Sequence, residues 1–300
     1  MAYCAVDGFA LISGYVAVDK PRKYERLVEM WFQVVFYSLV VTVVMTLFGL
    51  SDRLSVIDII KCILPVTAGK FWYFTAFFCL YFAIPVLNRF LFSVDEVMAK
   101  KALIIFAVLF SLMETLNGPF KTNSGYSALW LIALYCIGVL AKRIKLFEKK
   151  SNLFLIISWL LCVIVSWAVK MYLGTGRLIS YTSPTILLCG MIMVILFSRI
   201  KIKGTVIKSV SPLAFGIYLF QLNQVIWGKV LGGRFSFVAD EPLYIGVVLV
   251  FAFSLCIFLA GLAVEFVRSK LANLLRIPLL SKKIVSLFDW TMSKLFFIMN

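Results

Sequence analysis

Asp7 and Glu114 are carboxylates set inside apolar runs, "AVDGFALISGYV" and "IIFAVLFSLMETL". Ionisable groups in such runs are candidates for function, because burying them is costly. Acid–base chemistry at neutral pH most often uses histidine, whose pKa of about 6.5 suits the task. This chain has no histidine. Carboxylates, hydroxyls and amides are the groups left to do chemistry. For Asp7 and Glu114 the spacing leaves a functional and a structural reading equally open. Glu29 and Glu265 each lie three residues from an arginine, Arg26 and Arg268, and read as ion pairs at helix ends.

Other polar groups cluster within apolar sequence. Ala10 and Gly14 have the small-xxx-small spacing that lets another helix approach closely, with Ser13 and Tyr15 beside them. The stretch "SPLAFGIYLFQLNQVIWG" holds Tyr218, Gln221, Asn223 and Gln224, and helical spacing puts Gln221 and Gln224 on one face. Polar groups inside a span must find partners, so they either line a polar cavity or hold helices together.

Metal and phosphate chemistry find little support. The seven cysteines are scattered without a CxxC spacing and read as small hydrophobes, so no metal site is expected. Neither GxxxxGK[ST] nor a GxGxxG after a strand occurs. A net charge of +16 would point to nucleic acid in a soluble protein. No nucleic-acid-binding motif accompanies it, and cytoplasmic loops of membrane proteins collect Lys and Arg, so no nucleic-acid partner is expected.

These residues need elements to position them, and the composition says which. Hydrophobic residues make up 63% of the chain, more apolar surface than a soluble core of this size can hide, so the partner is a lipid bilayer. Apolar runs near 2–18, 29–50, 71–93, 102–117, 126–141, 153–173, 180–198, 209–231 and 242–267 are expected to be helices. No two-residue alternation supports a barrel. The fold class is all-α: a polytopic transmembrane helix bundle of about nine spans in a single domain over 1–300. Two segments are expected to lie on the membrane: an outer-interface stretch within 51–70, and a cytoplasmic-side amphipathic helix over 277–299 with Ile284, Leu287 and Phe288 on its apolar side. The loops at 19–27, 94–101, 142–151 and 199–208, with the tail, carry roughly three times the Lys and Arg of the alternate loops. That puts the tail in the cytoplasm and Met1 outside. A first helix running inward with no basic residue before it reads as a chain missing a helix from its front.

Several stretches together resemble the acyltransferase-3 family, integral membrane O-acyltransferases that decorate bacterial cell-surface sugars. "VDGFALISGYV" is similar to that family's VD-x-FF-x-x-SGY segment, which opens its second helix. "FWYFTAFFCLYFAIPVLN" aligns on its W-S-L-x-x-E-x-x-F-Y-x-x-x-P stretch: Trp72, Tyr81 and Pro85 match, and Phe77 stands in place of glutamate. The wording is closer to a surface-polysaccharide sub-group with "YWYF" and "PxLN". "GYSALWLIALYCIGVLAKR" and "FGIYLFQ" also resemble family helices, with Gln221 where members often have histidine.

The resemblance implies transfer of an acyl group, often acetyl from acetyl-CoA, to a hydroxyl of a glycan or lipid-linked sugar at a bacterial plasma (inner) membrane. Acyl-CoA is a co-substrate, and no bound cofactor is implied. It further implies an additional first helix bearing Arg-x10-His, whose histidine is the catalytic base. The chain is expected to be N-terminally incomplete and inactive as written. The helices with the clearest family wording also carry mid-span polar groups. The expected residual cavity therefore gathers Asp7, Ser13, Tyr15, Tyr73, Tyr218 and Gln221, with Lys20, Arg22, Lys23 and Arg26 at its cytoplasmic mouth to meet the donor's phosphates. A sugar or lipid-intermediate transporter or flippase, and a non-enzymatic membrane scaffold, are the other readings.

Overall fold

Apolar runs in lipid must satisfy every backbone amide within the segment, and helices do so. A computed structural model of the chain describes residues 3–17, 23–50, 54–201 and 204–299; among them are helices and no strand. Among the described residues, five helices are long and apolar enough to cross a membrane: Tyr24–Leu47, Trp72–Ser93, Asn152–Leu173, Arg177–Arg199 and Leu243–Leu274. The class is an all-helical membrane protein. Other expected spans differ in length or continuity. Tyr3–Tyr15 has 13 residues and Ala128–Arg143 has 16, short of the roughly 20 that a straight crossing needs.

The chain divides into two compact units, one of residues 1–22 and 72–202, the other of 23–71 and 203–300. In the first, the Ala128–Arg143 helix is the centre, with Trp130, Leu131, Leu134, Tyr135 and Leu140 wholly buried. Tyr3–Tyr15 packs against it and against Pro184–Arg199, while Trp72–Ser93 and Glu96–Ala107 also lie on it. The closest approach uses two glycines. A Cβ on Gly14 would strike the Tyr135 carbonyl oxygen, and one on Gly138 would strike that of Leu11. The small-xxx-small spacing thus marks a real helix contact, and Gly138 is its counterpart on the facing helix. Tyr135 donates to Asn88 Oδ1 at 2.5 Å, tying the central helix to Trp72–Ser93. Arginines close one end of the unit. Arg143 donates to the carbonyls of Leu91 and, at 2.7 Å, Val94. Arg199 reaches the carbonyls of Phe147 and Lys150 at 2.7 and 2.9 Å.

The second unit holds Leu243–Leu274, most of it turned outward with exposed Val248, Phe251, Leu255 and Leu259, the pattern of a lipid-facing helix. Tyr24–Val35 continues through a π segment, Phe36–Val40, into Val41–Leu47. A π segment leaves carbonyls without their usual donors, and side chains take them up here. Thr42 Oγ1 and Cys62 Sγ donate to the Ser38 carbonyl at 2.7 and 3.1 Å. Val56–Ile63 opens on a capping box in which Ser55 and Asp58 bond each other's backbone N–H. Those bonds from Ser55 hold the Asp58 carboxyl below its ordinary pKa. Ile277–Met299 packs on Tyr24–Val35 and leaves Leu287, Phe288 and Trp290 exposed.

One expected element is broken. The run 209–231 divides into Thr205–Val210, Ser211–Leu213, Ala214–Gln221 and a π segment, Ile226–Leu231. The interruption falls at Leu222 and Asn223, so Gln221 and Gln224 do not lie on one continuous helical face. Asn223 compensates the break. Its Nδ2 donates to the Tyr37 carbonyl at 2.8 Å, and its Oδ1 accepts from the amides of Val225 and Ile226 at 3.0 and 3.3 Å. The side chain thereby caps the segment that follows.

Candidate functional site

Asp7 is wholly buried on the face that Tyr3–Tyr15 turns inward with Cys4, Ala10, Leu11 and Gly14. Its Oδ1 accepts a hydrogen bond from the indole of Trp130 at 3.1 Å. Its Oδ2 has no hydrogen-bond partner. A buried carboxylate with half its acceptors unmet is an expensive feature in low dielectric. Trp130 is placed by a local signal: the Ser127 hydroxyl caps its helix by accepting from the Trp130 amide at 3.2 Å.

An aromatic cluster belongs to the same unit. Tyr126 lies 4.7 Å from Trp72 and 5.0 Å from Tyr181 between ring centroids, and Tyr3 lies 5.2 Å from Tyr181. Gly125, at φ 101°, sits where a Cβ would collide with Tyr181 and crowd the Trp130 indole. The backbone turn before the central helix thus brings aromatic rings close to the partner of Asp7. Sequence reasoning passed over Trp130, Tyr126 and Tyr181. The signal was the "GYSALW" stretch, where an indole inside an apolar run needs an acceptor for its N–H.

Glu114 takes a structural role. Its Oε2 accepts from the Phe120 amide at 2.9 Å, and its Oε1 accepts from the Thr122 amide at 2.7 Å and the Thr122 hydroxyl at 2.6 Å. It folds the turn that follows its own helix.

The residues expected to share a cavity come from both compact units. Asp7, Ser13, Tyr15 and Tyr73 belong to the first unit, Tyr218 and Gln221 to the second. Asp7 and Tyr15 are eight residues apart on one helix, about 12 Å along its axis, and their surroundings differ. Asp7 lies beneath Trp130, whereas Tyr15 lies under the Lys142 ammonium, 4.8 Å from its ring centre. The Ser13 hydroxyl returns to the Phe9 carbonyl at 2.9 Å. Tyr73 is buried and stacks on Phe77 at 6.3 Å. Tyr218 packs against Phe71 and Phe215 at 6.5 and 6.0 Å, and Gln221 is the last residue of its helix. Of the basic group, Lys23 precedes Tyr24–Val35 and Arg26 is exposed in its first turn; Lys20 and Arg22 lie outside the described residues.

A second buried carboxylate is fully met. Glu265 accepts from Gln33 Nε2 at 3.0 Å, from the Tyr37 hydroxyl at 2.9 Å, and from two nitrogens of Arg268, the shorter contact 2.7 Å. The ion pair expected for Glu265 is present. Among the described residues no ion pair joins Glu29 to Arg26. A network this complete fixes helices together and leaves little capacity for chemistry. Among the described residues no cluster of three His, Cys, Asp or Glu is placed to hold a metal ion.

Lipid-facing helices, with polar groups and carboxylates buried between them, define an integral membrane protein whose interior carries polar chemistry. Residues 1–261 match the model of the acyltransferase-3 family, described as an acyltransferase domain, and the chain belongs to that family. No curated protein and no solved structure matches it.

Proposed function

We propose that this is an integral membrane acyltransferase-like protein that handles an acyl-CoA donor, acetyl-CoA first, and a hydroxyl of a surface-polysaccharide precursor. The observation that carries this reading is the family match over 1–261. The chain sits in a bacterial plasma membrane, crosses it about nine times by its charge asymmetry, and keeps its C-terminus in the cytoplasm. Ile277–Met299 then lies on the inner surface, a placement supported by its exposed Leu287, Phe288 and Trp290. Lys20, Arg22, Lys23 and Arg26 meet the donor's phosphates, and Asp7, Ser13, Tyr15, Tyr73, Tyr218 and Gln221 supply the polar groups of the transfer path.

Acylating a hydroxyl requires a base to take its proton and donors for the tetrahedral oxyanion. Tyrosines and amides provide donors. With no histidine, the 300 residues alone supply only carboxylates as bases, so they bind the donor without transferring its acyl group. Equilibrium binding of radiolabelled acetyl-CoA to membranes containing the chain tests both halves. Saturable binding weakened by Lys23→Ala and Arg26→Ala, with no acetyl ester formed on glycan, is expected. Absence of saturable binding overturns the acyltransferase-like reading, and ester formation overturns the inactivity.

One observation favours a transporter: the helix interrupted at Leu222 and Asn223, since interrupted helices mark transport sites. Counterflow of a lipid-linked sugar in proteoliposomes, without acetyl-CoA binding, would establish that alternative.

A further inference from the structure

A cleft of about 450 Å³ opens in the first unit between the turn after Glu114 and the segment before Pro184–Arg199. Its lining has no large apolar side chain; Lys121, Asn123, Ser124, Arg177 and Ser180 form its walls. Binding sites for drug-like molecules are mostly apolar. A cleft lined by polar side chains and glycines selects an occupant made of hydroxyls and charge.

The charge is available. Glu114 also borders the cleft, but its carboxylate is committed to the amides of Phe120 and Thr122 and to the Thr122 hydroxyl. Neither Lys121 nor Arg177 has an ion-pair partner among the described residues. Two cations thus face the opening against one carboxylate that is already bonded.

The backbone on one wall is strained. Lys121, Asn123 and Ser124 have φ of 52°, 53° and 55°, the left-handed region that side chains avoid. Such strain persists only where surrounding contacts enforce it, and it gathers at ligand-binding positions. Here the Glu114 bonds enforce it, holding Lys121, Asn123 and Ser124 on one turn. Cations, hydroxyls and an amide are the groups that bind a carboxylated sugar.

We propose that this cleft binds an acidic sugar of the uronate class, its carboxylate held by Lys121 and Arg177 and its hydroxyls by Asn123, Ser124 and Ser180. The assignment rests on the reading of the protein as acting on a glycan, and it narrows that glycan to an acidic one.

The test uses the full chain in phosphatidylcholine nanodiscs and equilibrium dialysis of radiolabelled glucuronate, with no acyl donor present. Saturable binding is expected, with glucose about tenfold weaker. Lys121→Asn, which removes the charge and tolerates the left-handed backbone, and Arg177→Gln are each expected to raise Kd about tenfold, the loss of one charged hydrogen bond. Unchanged melting temperatures show that both variants fold. Affinity unchanged in both variants, or no saturable binding, overturns the proposal. Inorganic phosphate competing as well as glucuronate overturns it in favour of a simple anion site. Loss of binding when phosphatidylglycerol replaces phosphatidylcholine overturns it in favour of a lipid headgroup. Acetyl-CoA plays no part here, so failure of donor binding would remove the acyltransferase reading while leaving the cleft to be decided by glucuronate alone.

Discussion

The Trp130 indole donates to Asp7 Oδ1 at 3.1 Å, joining residues 123 positions apart in the core of the first unit. Oδ2 of the same carboxylate has no partner, so this one bond carries the compensation for burying the group. Trp130→Phe is expected to lower stability by about 1–3 kcal/mol beyond its packing loss, because it leaves the carboxylate without a donor. Asp7→Asn keeps an acceptor for the indole and removes the charge, so it is expected to cost less. Thermal unfolding in detergent, followed by near-ultraviolet circular dichroism, orders the two; Asp7→Asn as the more damaging variant would contradict this account.

Gly14 and Gly138 set the distance between two helices. Gly14→Ala and Gly138→Ala each drive a Cβ into facing backbone and are expected to destabilise the first unit by about 1–3 kcal/mol or more. Gly8→Ala meets nothing within 4 Å and is expected to be neutral or slightly stabilising. Urea-assisted unfolding of the three variants in mild detergent makes the comparison, and equal effects at Gly8 and Gly14 would contradict the close-contact account.

Glu265 and Arg268 form the charge pair of the second unit, with Glu265 1% exposed. Removing one partner strands the other, so Arg268→Met is expected to cost about 3–5 kcal/mol. Adding Glu265→Gln to that variant removes the stranded charge while Gln33 and Tyr37 keep a partner, and stability is expected to return in part. Expression yield and melting temperature of the single and double variants test this; a double variant no better than Arg268→Met would show that the stranded charge is not the cause.

Topology follows from loop charge. On a background lacking the seven native cysteines, Glu148→Cys and Thr205→Cys are expected to react with a membrane-impermeant maleimide only after the cells are opened. Reaction at either position in intact cells would reverse the orientation.

The sequence by itself determined the solvent. Hydrophobic content, long apolar runs and the absence of strand periodicity required helices in lipid, and the described helices begin and end close to those runs. Local rules were legible for the same reason. The Ala10–Gly14 spacing announced a close helix contact, and the i, i+3 spacing put Arg268 within reach of Glu265, whereas Arg26 and Glu29 at the same spacing form no ion pair among the described residues. The tertiary structure alone decided what each polar group does. Asp7 and Glu114 looked alike in sequence, yet one carries a single indole bond and the other organises a turn through three. Gln221 and Gln224 lost their common face because the helix breaks at Leu222 and Asn223, where the Asn223 side-chain amide bonds the Tyr37 carbonyl nearly two hundred positions earlier. The cleft around Lys121 and Arg177 was invisible for a similar reason: its walls come from two loops, its shape depends on left-handed turns enforced by Glu114, and neither distance nor strain between loops is encoded in the spacing of residues along a chain.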